Sequence, residues 1–345
     1  MLSKEAASIL NDPGRIARRD EWFSRLSDLF DSKPNAYNRK KVFTLSGSVP
    51  RPRSDALAYI EPERWVEECL ELIAAQPECT ADRFSPVCVE YPIYGVHFID
   101  RMFGARVWFK DGQWNADYLT APVGSLEMPD LDSDETWTLA KRASRAFLDA
   151  DVRLPLFGMP TLSSALNIFV NLYGQDALVA MMENEEAAAH DLEVINTLIR
   201  TLHRRYREHI PEKQLQPVIS WDRTQPPGYG QLCGCTTHVI SGPMYREFVE
   251  PLDDALLGDY PNGGMIHLCG RHTQHLPAFR EMKHLRAVQL NDRAAGDLEA
   301  YLSGLRDDQI VYLNPCREMS AEEAVRLSGG NRLVLVMRGD APDKT

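Results

Sequence analysis

The sequence lacks any long apolar segment of the kind that a membrane span requires. A transmembrane helix needs about 20 consecutive apolar residues, and no run in this chain approaches that length. Residues 1–19 alternate charged and small apolar side chains and contain no signal-peptide core. We therefore expect a cytoplasmic protein with no membrane association.

Positive charge is also in short supply. The 345 residues contain 38 Lys and Arg against 50 Asp and Glu, which gives a formal net charge of −12. A surface with this excess repels phosphate backbones and anionic lipid. The balance predicts no nucleic-acid partner.

Three catalytic signatures are missing as well. The chain has no Gly-x-Gly-x-x-Gly turn, no Gly-x-x-x-x-Gly-Lys loop and no Gly-x-Ser-x-Gly elbow. Gly228 and Gly230, followed by Gly234, do not have the dinucleotide-binding spacing. This argues against a nucleotide-dependent dehydrogenase, a class that also uses zinc held by two cysteines and a histidine.

Cysteines are few, and their number is odd. An odd count in a large cytosolic chain argues against a disulfide framework. Most of them are expected to be small buried residues, so the question is which are ligands. The seven are Cys69, Cys79, Cys88, Cys233, Cys235, Cys269 and Cys316.

The second half of the chain alternates short apolar strands with helices, at intervals of roughly 20 to 25 residues in its last third. This pattern predicts an α/β fold with a parallel sheet, and a (β/α)₈ TIM barrel over residues 61–345 explains it better than an open sheet. Residues 1–60 are interpreted as a helical N-terminal extension, and Asp111-Gly112 predicts a β-hairpin insertion. The predicted strands include Val218–Trp221, Met265–Cys269, Ala287–Leu290, Ile310–Leu313 and Leu333–Met337.

Nitrogen and sulfur donors stand at two of these strand ends. His267 and Cys269 are two residues apart on a strand and so point to the same side. Cys316 follows a later strand, and the carboxyl ends of barrel strands meet at one rim. Imidazole with two thiolates suits catalytic zinc, although iron or cobalt fit the same donors. Two thiolate ligands make the metal less electrophilic, which favours binding of a substrate thiol over activation of a water molecule. The alternative to a metal site is that His267 and Cys269 have this spacing by chance and that Cys316 is a buried structural residue.

Several segments resemble the uroporphyrinogen decarboxylase-like superfamily. Residues 264–271, Gly-Met-Ile-His-Leu-Cys-Gly-Arg, resemble its His-x-Cys-Gly segment, and residues 241–251 resemble its Ser-Pro-Glu-x-Tyr-Arg-Glu-Phe-x-x-Pro helix. Residues 94–104 resemble its first-strand region, and residues 157–161 its turn after the second strand. The likeness spans roughly residues 60–340.

The zinc-dependent branch of that superfamily contains methylcobamide:coenzyme M methyltransferases and related corrinoid-dependent methyltransferases. The resemblance places the zinc ligands, which are also the catalytic residues, at His267, Cys269 and Cys316. It implies methyl transfer, in either direction, between a zinc-held thiolate and a corrinoid such as methylcobalamin. No Asp-x-His-x-x-Gly corrinoid-binding segment is found, so the corrinoid is expected on a separate partner protein. A homodimer is common among similar proteins.

Two departures limit the likeness. The Arg-Gln-Ala-Gly-Arg motif with which the decarboxylases hold porphyrin carboxylates is missing, which weakens a tetrapyrrole substrate. Where related enzymes place an acid as a fourth ligand, this chain has Gln289 and Asn291, with Asp292 out of phase. The fourth ligand is therefore water, Gln289 or Asp292. A zinc-free decarboxylase and a non-enzymatic corrinoid- or metal-binding protein stay as alternatives.

A further set of residues is predicted to line the substrate site, because each lies at or near a strand end on the expected rim. Cys233 and Cys235 could face one direction and offer further sulfur donors, and the alternative, under which Cys235 is placed in this set, is that they are loop thiols that line the pocket. The set comprises Tyr94, His97, Asp222, Cys235, Arg271, Gln289, Asn291 and Arg338.

Overall fold

The computed structural model describes residues 2–31, 42–47, 52, 56–76, 83–217 and 221–338, and excludes the side chain of Arg338. The chain has an α/β fold of parallel strands and many helices. The described strands are β1 Phe43–Gly47, β2 Cys88–Glu90, β3 Val107–Lys110, β4 Gln113–Ala116, β5 Leu156–Gly158, β6 Leu215–Gln216, β7 Gly230–Cys233, β8 Gly264–Leu268, β9 Leu285–Leu290, β10 Ile310–Leu313 and β11 Leu333–Arg338.

All strands except β3 and β4 lie in two parallel sheets. The larger has the order β1-β11-β10-β9-β8-β7, and the smaller has the order β2-β5-β6. A parallel bridge between Leu45 and Phe84 continues the pairing from β1 to the segment before β2. The pairing thus runs from β7 round to β6. No ladder between β6 and β7 is found in the described ranges, so closure into a barrel stays a prediction.

One face of the strands, here called the inner face, packs against the aromatic side of the N-terminal helix Pro13–Phe30. Trp22, Phe23 and Phe30 of that helix lie in one apolar cluster with Met265 of β8 and Tyr312 of β10. The opposite face packs against the other helices in a larger cluster. Because side chains alternate along a strand, His267 shares the inner face with Met265.

Side chains cap several of the described helices at their N-termini. Ser320 accepts a hydrogen bond from the backbone N of Glu323 at the start of the last helix, and Ser241 caps residues 242–244. The helices are α1 Lys4–Leu10, α2 Pro13–Phe30, α3 Leu57–Ile60, α4 Pro62–Ala74, α5 Phe98–Met102, α6 Glu135–Asp149, α7 Ala165–Tyr173, α8 Gln175–Glu183, α9 Glu185–His209, α10 Gly242–Met244, α11 Glu250–Gly258, α12 Leu276–Glu281, α13 Leu298–Gly304 and α14 Ala321–Ser328.

The predicted hairpin is confirmed. β3 and β4 pair antiparallel around Asp111 and Gly112, which have φ values of 53° and 79°. Two successive positive φ values define the tight turn that matches strand twist, and the second is least costly for glycine.

Three differences from the predicted secondary structure concern strands. The helical interpretation of residues 1–60 is wrong at β1, which pairs with β11. Most of the predicted strand Val218–Trp221 lies outside the described residues, and Trp221–Arg223 forms a 3₁₀ turn. The strand β7 was not predicted. Among the described residues, no helix combines the length and apolar character needed to cross a bilayer.

Candidate metal centre

Three metal-ligating side chains converge at the carboxyl ends of β7 and β8. The donor atoms of Cys235, His267 and Cys269 all lie within 4.8 Å of one another. His267 is buried, and the two cysteines are partly exposed. Two sulfur donors and one nitrogen, close together and open on one side, are what a tetrahedral zinc site with a free position requires.

The strand register explains why the cluster forms. Cys233 of β7 lies directly opposite His267 of β8 in the parallel ladder. Cys235 lies two residues after Cys233, and Cys269 lies two residues after His267. Two neighbouring strands that end at the same level therefore deliver one thiol each beside the imidazole.

The two thiols share a proton unequally. The hydrogen bond from the Cys235 thiol, and the contact with His267, lower the pKa of Cys269 to about 4 against the opposing effect of burial. The same hydrogen bond, with burial, raises the pKa of Cys235 far above its ordinary value. The geometry thus favours a thiolate at Cys269, which is the form that binds a metal.

A chain of buried amides orients His267. Its Nδ1 lies 2.7 Å from Gln289 Oε1, while Gln289 Nε2 donates to Asn314 Oδ1 at 2.8 Å and to the Asp222 carbonyl at 3.3 Å. A backbone carbonyl only accepts, so the Gln289 amide is fixed with its oxygen toward the imidazole. Nδ1 must then carry the proton, which leaves the Nε2 lone pair free for a metal.

Gln289 was predicted to line the site, but its part in orienting His267 was not foreseen, and Asn314 was missed. Asn314 also donates to the Asp222 carboxylate at 3.3 Å. We call these three residues, Gln289, Asn314 and Asp222, the amide relay. The signal for Asn314 was its place after a strand that ends beside Gln289.

Cys316 is not a member of the cluster. Its sulfur lies 3.5 Å from the Asp292 carbonyl and 3.3 Å from the Glu318 carboxylate, and burial raises its pKa. A tight backbone bridge to Met319 holds it in this turn. Cys316 follows β10, which runs parallel to β9 and β8, so it lies at the same carboxyl edge of the sheet as Cys269. Its role as a ligand stays a prediction.

The predicted residues Tyr94 and His97 lie on the segment after β2. Tyr94 has a φ of 55°, and its ring packs against those of Tyr59 and Trp114 at centroid distances of 5.4 Å. His97 Nδ1 lies 2.5 Å from the carboxylate of the buried Asp100. Substrate contact by either residue stays a prediction.

The other predicted residues are spread along the carboxyl edge. The backbone N of Asn291 donates to the Leu268 carbonyl at 2.9 Å, which ties β9 to the end of β8. Arg271 is exposed, and Arg338 ends β11 with its side chain outside the description.

A small cavity of about 10 Å³, roughly the size of one water molecule, adjoins Cys233. Its polar lining includes Thr161, Ser163, His203 and Gln231. Gln231 is only 3% exposed, and neither atom of its amide has a hydrogen-bond partner among the described residues. Burial lowers the pKa of His203 to about 3, so this imidazole is neutral. The cavity offers neutral donors and an acceptor to a polar group.

No family model matches the chain, and no curated protein matches it. Among solved structures, it is similar to a methyltransferase from Methanosarcina mazei, with a TM-score of 0.61 and 11% sequence identity over 94% of each chain. At this identity, the likeness shows a shared fold.

Proposed function

We propose that the protein is a zinc-dependent methyltransferase that moves a methyl group between a corrinoid on a partner protein and a small thiol. The observation that carries the proposal is the cluster of Cys235, His267 and Cys269 at the carboxyl edge of the sheet. The shared fold with a methyltransferase supports it. Active sites of parallel α/β folds gather at this edge.

The ligand set proposed here differs from the one that the resemblance implies. The structure groups Cys235, and not Cys316, with His267 and Cys269. The amide relay leaves the Nε2 lone pair of His267 free, which is the atom a zinc ion needs. The donors therefore fit zinc, with the fourth position available to a substrate.

Cys235, His267 and Cys269 would hold the zinc ion, which would supply the charge that keeps a substrate thiol ionised at neutral pH. Cys235 and Cys269 would contribute negative charge, which would keep the substrate sulfur electron-rich. The methyl group would pass from the corrinoid to that sulfur, with the thiol proton released to solvent and the electron pair of the broken carbon–cobalt bond left on the corrinoid.

One unpaired polar group lies near the cluster on the same pair of strands. Gln231 lies opposite Met265 in the ladder, two residues before the level of Cys233 and His267. Its buried amide would supply donors and an acceptor to the polar end of a short thiol, whose removal from water would assist the transfer.

Zinc content tests the proposal and separates the two ligand sets. We expect about one zinc per chain by elemental mass spectrometry, lost in Cys235→Ala, His267→Ala and Cys269→Ala but kept in Cys316→Ala. Cys69→Ala is the matched control, since Cys69 is a buried thiol on α4. Zinc lost in Cys316→Ala and kept in Cys235→Ala would show that the ligand set proposed here is wrong. A folded native protein without metal would exclude the zinc mechanism.

Activity is measured as the thiol-dependent demethylation of methylcobalamin, followed by the corrinoid absorbance. The zinc-loaded protein should accelerate it, and Cys235→Ala should not. No acceleration with any small thiol, from a protein that holds zinc, would contradict methyl transfer while leaving the metal site intact.

A further inference from the structure

The two thiols of the cluster lie on separate loops. Cys235 opens a 3₁₀ turn, Cys235–Val239, after β7, and Cys269 follows β8. Neither residue is within a strand, so the sheet alone does not fix the separation of the two sulfur atoms. Some other contact has to hold one loop against the other.

A ring of hydrogen bonds joins the loops. The backbone N of Gly234 donates to the His267 carbonyl at 2.8 Å, and Thr237 Oγ1 donates to the Gly234 carbonyl at 2.8 Å. His272 Nδ1 lies 2.9 Å from Thr237 Oγ1, and the backbone N of Gly270 donates to His272 Nε2 at 3.1 Å. The ring thus encloses Cys235 on one side and Cys269 on the other.

The directions of these bonds are determined. His272 Nε2 accepts from a backbone N–H, so the proton of the neutral ring is on Nδ1 and points to Thr237 Oγ1. The single proton of the Thr237 hydroxyl then goes to the Gly234 carbonyl. Both side chains are almost fully buried, His272 at 0% and Thr237 at 1% exposed. Every donor and acceptor atom in the ring has at least one partner, and water cannot easily replace these partners.

Two further contacts hold the Cys235 turn from outside the ring. The buried His275 lies with Nε2 2.8 Å from the Thr237 carbonyl. Asn167 of α7 accepts a hydrogen bond from the backbone N of Thr236 at 2.9 Å. None of these contacts uses a thiol, so the turn keeps its position whether or not the sulfur atoms bind anything.

We infer that Thr237 and His272 are positioning residues that set the distance between the Cys235 and Cys269 sulfur atoms. The metal part of this inference rests on the proposed function, and the placement of the thiols does not. The ring prepares the sulfur pair before a metal arrives. Loss of the ring should therefore weaken the binding of any ligand that must contact both sulfur atoms.

The test compares Thr237→Val with Thr237→Ser. Valine keeps the shape of threonine and removes the hydroxyl, whereas serine keeps the hydroxyl and should retain wild-type behaviour. Thr136→Val is the matched control, because Thr136 is a buried threonine in the first turn of α6. Removal of groups that orient metal ligands typically lowers metal affinity about 10–100-fold, and we expect a loss of that size for Co²⁺ in Thr237→Val alone.

Two readouts distinguish positioning from general stability. The first is the sulfur-to-cobalt charge-transfer absorption of the Co²⁺ protein, which should weaken in Thr237→Val. The second is the affinity for phenylarsine oxide, a reagent that binds two neighbouring thiols without any metal ion. Thr237→Val should bind it less tightly than Thr237→Ser does. Lower thermal stability with unchanged cobalt spectrum and arsenical binding would overturn the inference.

The arsenical separates this inference from the proposed function. If the wild-type protein captures phenylarsine oxide but binds neither zinc nor cobalt, the metal mechanism fails. A lower capture by Thr237→Val in that same protein would still support positioning. Equal capture by wild type, Thr237→Val and Thr237→Ser would refute it.

Discussion

The amide relay gives the sharpest test of the metal centre, through the substitution Gln289→Leu. Leucine is similar in size to glutamine and makes none of its hydrogen bonds. The change removes the 2.7 Å bond to His267 Nδ1, the 2.8 Å bond to Asn314 and the 3.3 Å bond to the Asp222 carbonyl. His267 then keeps a buried N–H without an acceptor, and its ring is free to turn.

The size of the effect follows from these contacts. A buried hydrogen bond contributes about 0.5–1.5 kcal/mol net, and the groups left unpaired add to the loss, so Gln289→Leu should lower the free energy of unfolding by about 2–4 kcal/mol. Zinc affinity should fall about 10–100-fold, because the imidazole is no longer held with its Nε2 toward the thiols. That fall corresponds to about 1.4–2.7 kcal/mol of binding free energy.

The chain contains a matched control in Gln309. This glutamine is also 0% exposed, and its amide bonds the Phe279 and Leu285 carbonyls and the backbone N of Arg306 at 2.8–3.1 Å. It lies at the amino end of β10, the opposite end from Asn314. Gln309→Leu should therefore lower stability by a similar amount and leave zinc affinity unchanged.

Stability is measured by urea denaturation of the zinc-free proteins, and zinc affinity by competition with a chromophoric chelator. The reasoning is refuted if Gln289→Leu and Gln309→Leu lose the same stability and both keep wild-type zinc affinity. In that case the relay serves only to satisfy buried polar groups.

Two other predictions concern stability away from the metal centre. Burial raises the pKa of Asp253 to about 7, against the effect of the Tyr245 hydroxyl bonded to it. A carboxyl with a raised folded pKa contributes its stability at low pH and loses it as pH rises from about 4, near the ordinary carboxyl pKa, to about 7. Asp253→Asn should therefore gain stability relative to wild type between about pH 4 and pH 7 in urea titrations, with no further gain above that range, and a constant difference would contradict this. Gly112 has a φ of 79° and open space where a Cβ would lie, so Gly112→Ala should cost about 1 kcal/mol from backbone strain alone, without changing zinc content. An unchanged melting temperature in Gly112→Ala would mean that the hairpin turn does not need a positive φ at this position.

The pair His267 and Cys269 could be predicted from local sequence alone. Period-two alternation places residues two apart on the same side of a strand, and the donor atoms of this pair lie together in the cluster. The beginning and end of β8 were also close to their predicted positions, because a mostly apolar run, interrupted by His267, lies between Gly264 and Gly270.

The third member could not be found in this way. Cys235 lies two residues after β7, a strand of only Gly-Gln-Leu-Cys with a buried glutamine on its inner face. Nothing in that composition favours a strand. The strand exists because it pairs with β8. Paired residues of the two strands are 34 positions apart in the sequence, as Cys233 and His267 are. Such a long-range pairing has no local signal, so Cys235 was placed among the pocket residues.

Cys316 illustrates the opposite limit. Spacing placed it correctly after β10 at the carboxyl edge, but spacing does not say where the side chain points. The turn after Pro315 bridges Cys316 to Met319 and directs the sulfur to Asp292 and Glu318. A predicted strand end therefore locates a residue on the rim to within a few residues, and the turn that follows decides which neighbours it meets.

The chain also contains buried cysteines away from the cluster, and they provide a comparison for it. Cys69 and Cys88 are buried among apolar side chains in the two cores. Cys235 and Cys269 are partly exposed instead, with buried polar groups around them: the ring through Thr237 and His272, and the amide relay behind His267. Burying a polar group costs free energy unless it is fully bonded, and a fully bonded network fixes one geometry. Thiols kept for packing need no such network. Its presence around this pair is the physical reason to regard Cys235, His267 and Cys269 as a ligand site.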